Sequence, residues 1–170
     1  NRTIDEAAWI TALTRDLEIY AQRTPGRKLT SLYFGGGTPS RAPLPVIENV
    51  IEHCERLWGF ESGAEITLEA NPTSVEAHRF EGYAKHGVNR VSLGVQALNS
   101  GDLRNLGRLH SVAEAQAAFQ TARAFFDRVS FDLIYARQNQ SLSNWEAELS
   151  KALDMAVDHL SLYQLTVEEG

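Results

Sequence analysis

Five short runs of aliphatic, β-branched and aromatic residues alternate with five helical patterns along this chain, and that alternation restricts the fold more than any other feature. The runs occupy residues 29–34, 65–70, 90–96, 129–135 and 159–165. Each has strand length and is bounded by turn-forming residues. Between them, Trp9, Ile10, Leu13, Leu17 and Tyr20 share one face of a first helix, residues 47–58 form a second, and Phe80, Tyr83 and Ala84 mark a third. Val112, Ala115, Phe119, Ala122 and Phe126 define a fourth, and Trp145, Leu149, Ala152, Leu153 and Ala156 a fifth. Helix starts are signalled by Thr3 with Glu6, Thr73 with Glu76, Ser111 with Glu114 and Ser143 with Glu146. In this capping box, hydroxyl and carboxylate each satisfy an amide that the first turn leaves unpaired. Strands read as apolar on both faces and alternating with helices predict a parallel α/β sheet with right-handed crossovers. The two closures compatible with this are a barrel and an open doubly wound sheet.

No linker or low-complexity tract interrupts the pattern, so residues 1–170 read as one domain. The pattern opens on a helix and stops just past a strand. A helix ahead of the first strand is commonly the second half of a βα unit, and the expectation is a piece of a longer domain. With 43% hydrophobic and 22% charged residues the chain can bury a substantial core. Its net charge of −6, with Lys and Arg scattered singly, argues against a nucleic-acid partner. No apolar run has transmembrane length, and the first residues lack the pattern of a secretory signal, so a cytoplasmic location is expected. The single cysteine, Cys54, shares a helical face with Ile47, Val50 and Ile51 and reads as a small core residue. One thiol can build neither a disulfide nor a cluster site. His53, His78, His86, His110 and His159 show no paired ligand spacing, and no metal-ligating set is assigned.

Polar residues stand at the carboxyl ends of the strands, where parallel α/β folds bind their ligands. The first run ends in Gly35, Gly36, Gly37 and Thr38, the second in Glu69 and Asn71, the third in Gln96, and the fourth carries Asp132 with Tyr135 beyond it. Consecutive glycines permit positive φ and close approach of a ligand to the backbone. The segment is no dinucleotide fingerprint, because Ser40 stands where the third glycine belongs, and no Gly-Lys-Ser/Thr follows as a phosphate loop requires. Glu69 at an apolar strand end needs a partner, either Arg90 or Arg108 within the fold or a ligand. Gln96 offers both donor and acceptor, suited to an amino acid or nucleoside. Arg108, in a loop, either grips a carboxylate or is solvated. Asp132 faces either a ribose diol or neighbouring backbone.

The segments Phe34-Gly35-Gly36-Gly37-Thr38-Pro39-Ser40, Leu68-Glu69-Ala70-Asn71-Pro72, Gly87-Val88-Asn89-Arg90-Val91-Ser92-Leu93-Gly94-Val95-Gln96, Leu106-Gly107-Arg108-Leu109-His110 and Phe131-Asp132-Leu133-Ile134-Tyr135 resemble the radical S-adenosylmethionine enzymes related to oxygen-independent coproporphyrinogen III oxidase. The resemblance covers residues 31–168 in order and spacing, and within that group it is closest to the heme-chaperone branch. It implies a partial TIM-type (β/α)6 barrel, here from helix 1 through strand 6, with the first strand and the C-terminal part missing. It implies S-adenosylmethionine and a [4Fe-4S] cluster as cofactors, with Gly36, Gly37 and Thr38 lining the methionine moiety. Glu69, Gln96, Arg108 and Asp132 would contact amino, carboxylate and ribose groups. The implied partners are heme or another tetrapyrrole and heme-receiving client proteins. Two alternatives accompany this reading: an oxidase that decarboxylates coproporphyrinogen III, and a cluster-free binding module. Two departures from the family pattern stand out. The Cys-x3-Cys-x2-Cys loop is absent and expected upstream of Asn1, so the chain by itself should neither assemble a cluster nor cleave the sulfonium. Ala136-Arg137-Gln138-Asn139 also replaces a Gly-Leu-Pro-Gly turn, leaving the conformation of that rim open.

Overall fold

The computed structural model describes residues 5–156 and 159–166, with the side chain of residue 75 left aside. Helix α1 (Glu6–Arg23) is followed by β1 (Leu29–Phe34), a 3-10 turn (Pro39–Arg41), α2 (Leu44–Leu57), β2 (Phe60–Ala70), α3 (Ser74–Ala77), α4 (Phe80–Lys85) and β3 (Arg90–Gln96). Then come α5 (Ser100–Asn105), α6 (Val112–Phe125), β4 (Arg128–Tyr135), α7 (Leu142–Met155) and β5 (His159–Gln164). All five strands are parallel and lie in chain order, β1 to β5. An order without reversal has no switch point, which excludes the doubly wound alternative and leaves the barrel. The sheet curls far enough to bring Tyr33 on β1 within electrostatic reach of Asp132 on β4, two strands beyond its neighbour β2.

The core lies on one side of this sheet. Ile66, Leu68, Val91, Leu93, Val95, Phe131 and Leu133 pack against Ile47 and Ile51 of α2, Phe80 and Tyr83 of α4, Phe119 of α6 and Ala152 of α7. Edge-to-face pairs Phe80–Phe126 (5.7 Å) and Phe119–Phe131 (5.4 Å) tie helices and sheet together. Such pairs add about 1 kcal/mol each beyond the area they bury. The strands were expected to be apolar on both faces, and they are not. Strand register places Glu65, Thr67 and Glu69 beside Arg90 and Ser92, and these beside Ser130, on the opposite, concave face. The inside of the half-barrel is lined by buried polar side chains bonded to one another, so period-two alternation replaces the continuous apolar run of a strand covered on both sides by apolar layers.

The capping signals resolve unevenly. Ser111 and Glu114 form the full box, and Thr73 caps α3, but Glu76 turns away from its helix to other donors. Ser141, not Ser143, caps α7. Thr3 lies outside the described residues, and α1 is instead capped by Asp5, which accepts from the Ala8 amide at 3.0 Å. The short α5 has no periodic apolar face, so nothing in the sequence pattern marks it. Cys54 is buried in α2, where desolvation lifts its thiol to a pKa of about 11. Among the described residues no helix is long and apolar enough to cross a membrane.

Candidate functional site

The end of β1 turns through two left-handed residues, Gly36 (φ +81°) and Gly37 (φ +59°), a backbone that side chains other than glycine rarely adopt. Gly35 has little room for a side chain for a different reason. A Cβ there would lie 2.8 Å from the Tyr33 ring and 3.4 Å from Glu69 Oε1. That crowding reflects how Glu69 is held: the Tyr33 hydroxyl donates to Oε1 at 2.8 Å and the Gly36 amide to Oε2 at 3.2 Å. Glu69 forms no pair with Arg90 or Arg108. Arg90 is engaged with Glu65 at 3.2 Å and with Ser130 at 2.9 Å. Burial, then the hydrogen bond and charge of Glu69, push the Tyr33 phenol up to about 12, so it stays a proton donor at neutral pH.

Beneath the glycine loop sits a second carboxylate. Glu76 is buried and accepts from the Ser40 hydroxyl, from the Asn71 amide at 2.8 Å and from Asn71 Nδ2 at 3.2 Å. The Ser40 carbonyl in turn accepts from Tyr83 at 2.9 Å and Arg79 at 3.1 Å. The turns after β1 and β2 are thereby locked to each other and to α4.

Gln96 ends β3 with φ +73°, where the β3–β4 register shifts. A Cβ on Gly94 would stand 3.0 Å from Gln96 Nε2, so the glycine makes room for this amide. Asp132 on β4 accepts from Ser92 at 3.3 Å; Ser92 accepts from Ser130 at 3.0 Å, and Ser130 from Arg90. Desolvation raises the Asp132 carboxyl above its ordinary range and outweighs the bonds from Ser92 and Ser161, with Glu69 adding repulsion. Arg108 follows α5 on a turn closed by its own amide to the Leu103 carbonyl (2.8 Å). Arg108 is half-buried, and its guanidinium has no protein partner among the described residues.

Gly37, Thr38, Glu69, Gln96, Arg108 and Asp132 line a single polar cavity of about 160 Å³ together with Asn71, Ser92 and Gly94. Gly36 stands at its edge through its bond to Glu69 and lines a neighbouring apolar cavity of about 420 Å³, walled by Trp9, Leu13 and α2. Every sequence-predicted site residue is therefore at one mouth. Tyr33 and Ser92 were missed. Their signal was the polar alternation along the strands, which an emphasis on strand ends passed over. The mouth offers two carboxylates and backbone carbonyls as acceptors, and a guanidinium, an amide and a hydroxyl as donors. That set suits a zwitterion attached to a polyol.

Residues 13–151 match the family model described as Radical SAM superfamily, and the chain belongs to that superfamily. Among curated proteins it is 39% identical to "Heme chaperone HemW" of Haemophilus influenzae, over 97% of this chain and 44% of that protein. It is 42% identical to "Radical S-adenosyl methionine domain-containing protein 1, mitochondrial" of Danio rerio, over 93% of this chain and 36% of that one. The chain thus spans less than half the length of these relatives. Among solved structures, coproporphyrinogen III oxidase (HemN) of Escherichia coli superposes with a TM-score of 0.82 at 26% identity, covering 96% of this chain and 39% of its own. Five parallel strands curled into a half-barrel agree with the partial TIM-type fold of this class.

The family implies S-adenosylmethionine and a [4Fe-4S] cluster. The polar mouth fits the first, in the chemistry of its donor set and in the side-chain-free positions Gly35 and Gly94 that keep Glu69 and Gln96 extended into it. The described residues do not fit the second: the one thiol is buried in α2, and no group of three His, Cys, Asp or Glu could hold a metal ion.

Proposed function

We propose that this chain is the S-adenosylmethionine-binding part of a heme chaperone, corresponding to helix 1 through strand 6 of a radical SAM core. The observation that carries the reading is the convergence of Thr38, Glu69, Gln96, Arg108 and Asp132 on one cavity from five separate stretches of sequence. S-adenosylmethionine, when bound, brings the sulfonium centre on which the family's chemistry depends. In this reading Gly36, Gly37 and Thr38 line the methionine chain, Glu69 accepts from its ammonium and Arg108 grips its carboxylate. Gln96 serves either group, and Asp132 accepts from the ribose hydroxyls. Tyr33 and the Gly36 amide fix the plane of Glu69 before a ligand arrives, so little ordering remains for binding.

The chaperone role, with heme as cargo and heme-requiring proteins as clients, is supported by the names of the relatives; a cytoplasmic location belongs to the same reading. The likeness to an oxidase structure favours decarboxylation of coproporphyrinogen III as the second reading. Titrating the full-length protein with S-adenosylmethionine and with hemin, then mixing the hemin-loaded protein with an apo-heme enzyme, tests both. Saturable binding of each and transfer of the Soret band to the client are expected. Anaerobic loss of propionate carboxyls from coproporphyrinogen III, without heme transfer, would replace the first reading by the second.

A further inference from the structure

At the turn after β4 the chain places Arg137, a buried arginine whose guanidinium reaches backwards rather than outwards. Nη1 donates to the Ile134 carbonyl at 2.7 Å and to the Gln96 carbonyl at 3.4 Å. Nη2 contacts Asp102 at 2.8 Å and pairs with Glu148 of α7. Glu148, equally buried, accepts from the Leu98 amide at 2.6 Å. One ion pair therefore holds the backbone of residues 96–98 from both sides, the carbonyl of Gln96 through the arginine and the amide of Leu98 through the glutamate. The held segment is the one that leaves β3 through a left-handed residue, and a non-glycine residue persists there only when its surroundings over-determine it. Ala136 (φ +57°) and Asn139 (φ +60°), flanking the arginine turn, are left-handed as well. Gln140 closes this turn, accepting from the Arg137 amide at 3.2 Å and donating towards Glu148 at 3.4 Å.

We propose that Arg137 and Glu148 are positioning residues for the cavity: they do not touch the ligand but set the strand-end conformation that aims the Gln96 side chain into the S-adenosylmethionine site. This rests on the binding reading above. A fork is required, because a single ammonium cannot bond the Ile134 carbonyl, the Gln96 carbonyl and two carboxylates in one plane. Burial of the pair adds no stability that apolar residues of equal volume would not, so a purely structural role would leave ligand affinity unmoved when the pair is replaced by such residues.

The test is equilibrium titration of the full-length protein with S-adenosylmethionine, read beside its melting curve. Arg137→Lys keeps a cation beside Glu148 and Asp102, and Arg137→Met with Glu148→Met removes both charges together; Glu148→Gln is nearly isosteric. The double methionine variant is expected to melt close to the parent and the two single variants below it, and each to bind S-adenosylmethionine about tenfold more weakly, the scale of one lost hydrogen bond. Combined with Gln96→Ala, which alone costs a similar factor, each should add less than about twofold, because both changes remove one interaction. Parental affinity in whichever of these variants melts like the parent, or losses that multiply with that of Gln96→Ala, overturns the proposal. Glu69→Ala separates the two ways of failing. If it weakens binding while the clamp variants do not, the clamp is wrong and the cavity reading stands; if it too binds normally, both fall.

Discussion

Four of the carboxylates around the strand ends of this half-barrel form two pairs that differ in what their oxygens are doing. Glu76 and Glu148 lie below the mouth, buried, each taking bonds from several protein donors: Ser40 and Asn71 for one, Arg137, Leu98 and Gln140 for the other. Glu69 and Asp132 stand in the mouth with fewer donors and with acceptor capacity facing the cavity. The contrast teaches that a carboxylate among apolar neighbours is not by itself a functional signal. A fully bonded buried acid fixes the backbone; an incompletely bonded one at a cavity wall is available to a ligand.

The sharpest way to break this division is Glu76→Ala. It leaves the Ser40 hydroxyl and the Asn71 amide without acceptors, which should cost about 3 kcal/mol and lower the melting temperature by roughly 10 °C. A loss confined to ligand affinity would move Glu76 from the structural pair to the functional one. Glu69→Ala and Arg108→Ala should do the reverse, weakening S-adenosylmethionine binding by about 2 kcal/mol each in a calorimetric titration, with little change in melting. Unchanged affinity in both would remove those assignments. Tyr33→Phe deletes one of the two donors that orient Glu69, and a smaller loss of about 0.7 kcal/mol in the same titration is expected.

The smallest effect concerns Asp132 and pH. Its proton is held more tightly in the folded state than in the unfolded chain. Its contribution to stability is therefore present below the ordinary carboxylate range and lost as pH rises through its raised value, above which the ionised group opposes folding. Asp132→Asn should accordingly melt higher than the parent at neutral pH, and the difference should close as pH falls below about 4, the unfolded value. A difference that widens in acid would show that the carboxylate is stabilised, not strained, at the mouth.

The locations of all five strands were readable, because strand runs and helical periods are local patterns and the turn residues between them are unambiguous. The bounds shifted where local pattern gave out: β2 begins at Phe60, earlier than the apolar run, because pairing with Leu29 extends it past a bulge. The glycine loop, Glu69, Gln96, Arg108 and Asp132 were identifiable as polar groups at strand ends and from the family resemblance. Glu148 was readable in principle, since it lies between Trp145, Leu149 and Ala152 on the buried face of α7. Its partner was not, because Arg137 lies in a turn with no period. Ala136 is left-handed although no local propensity favours that conformation for alanine, so the surrounding bonds must hold it, whereas Asn139 is of a residue type that enters this region more readily.

Alternation of strand and helix, helix caps at Thr73 and Ser111, and the chemical identity of each strand end were determined by the sequence alone, since they depend on residues within a few positions of one another. Only the tertiary structure decided which acids are bonded to exhaustion and which face the cavity. It also decided that the concave face is polar and that Gln96 leaves its strand left-handed. Each of the four acids takes at least one bond from a donor 33 to 50 residues away along the chain, and a chain's local pattern carries no record of which distant donor arrives.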